Sequence, residues 1–128
     1  MHILYLTRAF VNDKVCGMEK KFDLELCPEM LPELADFFKL LGEPVRLRLL
    51  ASICHEGAAG VNELTERLGL SQSVVSRHMS MLHEGGLVEK EQVGSRCLYS
   101  MPDDALCRLC LIAAEKVRAR ASRFSKLV

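Results

Sequence analysis

Apolar residues recur at helical spacing in five stretches of the chain and at strand spacing in one. Leu34, Phe37, Phe38 and Leu41 form a stripe behind Pro28 and Pro32, which predicts a first helix that Gly42 ends. Pro44 takes the first position of a second helix, with Val45, Leu49, Leu50, Ile53 and Cys54 along one side and Arg46 and Arg48 turned elsewhere. It stops near Gly57, and Gly57 to Gly60 reads as a loop. Leu64 and Leu68 before Gly69, and Val75, Met79 and Leu82 after it, place two short helices around a shared core, the second capped by Ser71. After Gly85 and Gly86 the period changes: residues 87–93 and 96–101 read as two strands joined at Gly94 and Ser95. Pro102, Asp103 and Asp104 then open a last long helix whose face is Leu106, Leu109, Cys110, Ala113, Ala114 and Val117.

This order predicts a mainly α fold with a small antiparallel β-hairpin, a winged helix-turn-helix, over residues 28–121. Residues 1–27 are poorly patterned and expected to form a loosely held arm, and 122–128 a basic tail. A domain already covered by its other helices has little use for the last one. It is therefore expected to pair with the first helix in a homodimer, setting two reading helices on the half-sites of a pseudo-palindrome roughly one DNA turn apart.

Composition narrows the setting. The 128 residues suit one domain, and no run approaches the roughly 18 to 20 apolar residues of a membrane span, so no membrane partner is expected. The opening MHILYLTRAFV holds Arg8 and lacks a small-residue cleavage site, which argues against a signal peptide and for the cytoplasm. Formal net charge is zero, but the last 26 residues carry six basic side chains against three acidic ones. Binding to nucleic acid is then expected through a focused patch.

The stretch from Ser71 to His83 carries that chemistry. Gln72, Ser73, Ser76, Arg77 and Ser80 lie off the apolar stripe, accompanied by His78 and His83, and no carboxylate occurs between Glu66 and Glu84. Gln and Arg make bidentate contacts with base edges, and Ser reaches bases or phosphates. Arg96, at the hairpin tip, suits the sugar-phosphate backbone or a minor groove. No nucleophile-base pair, carboxylate dyad or phosphate-binding glycine loop appears, so neither catalysis nor an organic cofactor is expected.

The strings FFKLLGEPVRLRLL, ELTERLGLSQSVVSRHMSMLHEGGLV and GSRCLYSM, in this order of elements, resemble the ArsR/SmtB family of bacterial winged-helix repressors over about residues 33–117. The resemblance implies a homodimer that represses its operon and leaves double-stranded operator DNA when an inducer binds. By position it implies that Ser71, Gln72, Ser73, Ser76, Arg77 and His78 meet DNA, with Arg96 on the wing. Two of the family's sensor patterns are absent. Residues 58–64, AAGVNEL, hold no thiol, and residues 107–128 hold no histidine.

Six cysteines remain: Cys16, Cys27, Cys54, Cys97, Cys107 and Cys110. Cys107 and Cys110, three apart on a helix, put both sulfurs on one face about 5 to 6 Å apart, near enough to share a soft ion or simply to pack a dimer interface. As(III) or Sb(III) favours three sulfurs, and Cd, Pb or Zn takes three or four donors, so the expected site adds Cys27 as third ligand, with Cys97 as the alternative. Cys54 continues an apolar stripe and reads as plain core, and Cys16 as a bystander. A rival reading makes the thiols a redox or persulfide sensor on the same fold. Two others, a thiol oxidoreductase built on Cys107 and Cys110 and a winged helix used only for protein contacts, have less support in the pattern.

Overall fold

The computed structural model describes residues 27–127, so the expectation for the N-terminal arm and for Cys16 lies outside the described residues. The chain divides into two compact units at Glu33 and Leu34. Of the first, residues 27–33 are described: a turn closed by Met30 N–H on Cys27 O at 2.9 Å, leading into helix α1, Met30–Leu41.

From Leu34 onward the second unit holds the remaining elements. Helix α2 spans Pro44–Glu56, with Pro44 in its first turn and Glu43 accepting from Arg46 N–H at 2.9 Å, so an orphan donor of the helix start is satisfied. Residues 58–60, expected as loop, form a short strand β1, Ala58–Gly60, which pairs antiparallel with the returning wing strand. No β-branched or aromatic residue marks AAG as a strand. The partner strand, and not local propensity, makes it one.

Helix α3, Val61–Leu68, ends at Gly69 in the left-handed region (φ 66°), and α4, Gln72–Glu84, follows behind the Ser71 cap, whose hydroxyl accepts from Val74 N–H at 3.3 Å. Leu87 and Val88, expected at the start of a strand, instead plug the core ahead of it, both nearly sealed from solvent. The wing is β2, Glu89–Val93, and β3, Arg96–Ser100, in register with Val93 opposite Arg96, and the sheet order is β1-β3-β2. Helix α5, Ala105–Leu127, opens with Asp103 accepting from Ala105 N–H at 2.9 Å and runs on past residue 121, where a tail was expected.

Leu49, Ile53, Leu64, Val75, Met79 and Leu82 are fully buried at the centre of α2, α3 and α4, and Tyr99 closes the core from β3. Polar ties reinforce it: Arg67 donates to Ser52 Oγ at 2.7 Å, and Arg48 to the Leu68 carbonyl at the end of α3 at 2.9 Å. Leu106 and Leu109 pack against this core; Val117 and Phe124 continue their stripe along α5 and are exposed, as are Leu111 and Ile112, which lie off that stripe. No described helix is long and apolar enough to cross a membrane.

Candidate nucleic-acid interface and thiol site

The core stripe of α4 is Val75, His78, Met79 and Leu82, spaced three, four and seven residues apart, and it fixes which side of the helix faces out. Ser71, Gln72, Ser73, Ser76 and Arg77 all fall on the exposed side. His78 does not. Expected to meet DNA, it is buried at 9% exposure, and its Nδ1 lies 3.3 Å from Nη1 of Arg46. Its spacing three residues after Val75 and four before Leu82 puts it on the buried stripe, a signal present in the sequence and outweighed there by its polarity. Arg46 is corrected likewise: expected to turn away from the core, it is 8% exposed.

Arg96 is exposed at the start of β3, and its Nη2 donates to Glu63 Oε1 on α3, whose carboxylate also accepts from Gly60 N–H at 3.4 Å. Between the wing and the start of α4 lies a cleft of about 340 Å³, bordered by Asn62, Gln72, Ser76, Ser95, Arg96 and Cys97. Glu63 was missed by sequence reasoning because the pairing spans 33 residues and two elements. Donors from α4 and the wing thus share one face, with side chains suited to base edges and phosphates.

The thiols are arranged differently from expectation. Cys54 on α2 and Cys107 on α5 are joined in a disulfide, 53 residues apart in sequence with Cα atoms 6.0 Å apart. Cys107 is therefore turned to α2 and not to a site shared with Cys110, and Cys54 is not plain core. Cys110 is a free, half-buried thiol, and burial pushes its pKa up. Cys97 is free and half-buried on β3, beside the Tyr99 hydroxyl. Tyr99 titrates above the usual phenol range, mainly through burial and then through the Cys97 thiol, against a smaller pull from Ser80. Cys27 is free in the N-terminal unit. Among the described residues no three His, Cys, Asp or Glu side chains come together to hold a metal ion, so the expected three-sulfur set is not assembled there.

Residues 43–90 match the family described as bacterial regulatory protein, arsR family. The chain is 32% identical over 76 residues to the arsenical resistance operon repressor of Bacillus subtilis, an alignment covering 59% of this chain and 72% of the relative. It belongs to the ArsR family. The fold agrees: the structure of Rv0081 of M. tuberculosis matches with a TM-score of 0.63 at 31% identity, over 77% of this chain and 96% of that one. Reduced HlyU from Vibrio cholerae N16961 matches with a TM-score of 0.54 at 27% identity, over 59% and 78%. As an ArsR-family winged-helix repressor the chain is a DNA-binding transcriptional regulator and not an enzyme.

Proposed function

We propose that this ArsR-family repressor grips its operator as a homodimer in the cytoplasm, and that thiol chemistry at Cys54 and Cys107 sets the grip. Ser71, Gln72, Ser73, Ser76 and Arg77 enter the major groove, and Arg96 meets the flanking backbone. The apolar residues that α5 leaves exposed, Leu111, Ile112, Val117 and Phe124, are what a second copy covers, so that two reading helices address a pseudo-palindrome.

The observation that carries the switch is the link between α2 and α5. Helix α2 packs directly against α4, whereas α5 is the dimer helix of this reading. A bond between them ties the reading head to the subunit interface. Two thiols give up two electrons and two protons to an oxidant such as a peroxide or another disulfide, and the new S–S bond holds α5 in one orientation on α2. In a reducing cytoplasm such bonds serve sensing more often than stapling. Coupling of about 1 to 3 kcal/mol changes operator affinity roughly 5 to 150-fold.

Gel-shift titration of protein held reduced, against protein oxidised to the Cys54–Cys107 disulfide, tests this: the oxidised form binds at least fivefold more weakly, and Cys54→Ser and Cys107→Ser lose the difference. Equal binding by both forms overturns it.

A thiophilic ion is the second reading, supported by the name of the B. subtilis relative and by two soft donors on facing helices once the pair is reduced. Arsenite, antimonite, cadmium, lead and zinc are the ions to titrate against the reduced dimer. Release abolished by Cys54→Ser supports this pair. Release abolished only by Cys110→Ser, Cys27→Ser or Cys97→Ser supports the sulfur set expected from sequence.

A further inference from the structure

We infer that Arg46 is the residue that positions the reading helix, holding α4 against the C-terminal end of α1 by way of His78. The inference rests on the DNA-binding reading of α4.

The guanidinium is spent in two directions. On one side Nε donates to the Leu40 carbonyl at 2.6 Å and Nη2 to the Lys39 carbonyl at 3.4 Å, both in the last turn of α1, where unsatisfied carbonyls concentrate partial negative charge. On the other, Nη1 faces His78 Nδ1 at 3.3 Å and Met81 Sδ at 3.8 Å, both on α4. Arginine has donors only, so in this contact Nη1 is the donor and Nδ1 the acceptor. Among the described residues no carboxylate pairs with this guanidinium, although it is almost wholly buried. Two carbonyls, an imidazole and a thioether hold it instead.

The position of this contact on α4 gives it consequence. The rest of the buried stripe, Val75, Met79 and Leu82, makes apolar contacts, which have no direction of their own and hold the rotation of the helix only through the fit of neighbouring side chains. A hydrogen bond from a planar, rigid fork does have a direction. His78 directly follows Arg77 and lies two residues after Ser76, so a turn of the helix that breaks the Arg46 contact swings both outward-facing side chains across the groove floor. Arg46 lies between the end of α1 and the inner face of α4, where it can carry a movement of the one to the other.

The test uses the full chain and the duplex that the wild-type protein selects from a random pool, with an unrelated duplex of equal length as reference. His78→Leu leaves both Arg46 bonds to α1 in place and cuts the tie to α4; Arg46→Met removes both; Arg46→Lys keeps the charge without the fork. The ratio of selected to unrelated affinity falls at least tenfold in His78→Leu and in Arg46→Met, no further in the double variant, and less in Arg46→Lys. Binding to the unrelated duplex stays within twofold, because the exposed cations are untouched. A ratio unchanged in folded His78→Leu, with only the melting temperature lowered, overturns the inference, as does a double variant whose loss is the product of the two. Selection of no duplex by the wild type defeats the DNA reading itself, a separate outcome.

Discussion

Arg96 on the wing is bonded to Glu63 on α3, so the cation best placed to meet a phosphate is already engaged by a carboxylate. Both side chains are substantially exposed, and an exposed pair contributes only about 0 to 1 kcal/mol. A phosphate can therefore compete for the arginine. Glu63→Gln removes the competitor, and binding to DNA of any sequence is expected to strengthen two- to fivefold, about 0.4 to 1 kcal/mol. Arg96→Ala is expected to weaken it and to reduce the slope of log K against log salt by about one. Fluorescence anisotropy across a salt series measures both, and a Glu63→Gln protein that binds more weakly contradicts the assignment.

Arg77 is the sole arginine on the exposed side of α4. Its replacement by Ala is expected to cost about 1 to 3 kcal/mol at the operator and to relax the preference at one base-pair position. Competition against operators substituted one pair at a time provides the check.

Gly85 ends α4 with an ordinary φ of −80°, so backbone freedom is not what it supplies. The space a Cβ needs is filled by Leu40 Cδ1, with the Met81 carbonyl 3.3 Å away. Gly85→Ala forces α1 and α4 apart or Leu40 out of its rotamer, an overpacking cost of about 1 to 3 kcal/mol. Thermal unfolding monitored by circular dichroism should show the lowered midpoint.

Ile112 is 58% exposed on the outer face of α5. Placing a charge there by Ile112→Glu is expected to leave the monomer fold intact, shift the dimer toward monomer and weaken operator binding, because one reading helix alone addresses half a site. Sedimentation at several concentrations separates this from unfolding.

Cys110 is partly buried and its thiol pKa is raised, so less thiolate is present at any given pH than for an open cysteine. Its alkylation by iodoacetamide in reduced protein is expected to be slower than that of a small-molecule thiol at pH 8 and to catch up only above the ordinary thiol range. Mass spectrometry of peptides after timed quenching gives the rate, and a Cys110 that alkylates fastest of the cysteines contradicts the burial argument.

The helices, the hairpin and the exposed polar row of α4 follow from local rules that can be read along the chain: apolar period, caps at Ser71 and Pro44, and left-handed glycines at Gly69 and Gly94. Ser71, Gln72, Ser73, Ser76 and Arg77 were legible as an exposed polar row for that reason. Packing between elements makes AAG a strand, pairs Arg96 with Glu63, brings Arg46 and His78 together inside, and bonds Cys107 to Cys54 instead of grouping it with Cys110. Each of those facts is a contact between elements 32 to 53 residues apart or a strand made by its neighbour. Spacing along one helix fixes where a side chain starts, but the element packed opposite fixes what it touches. For the thiols that second choice moved the pairing from one helix to two.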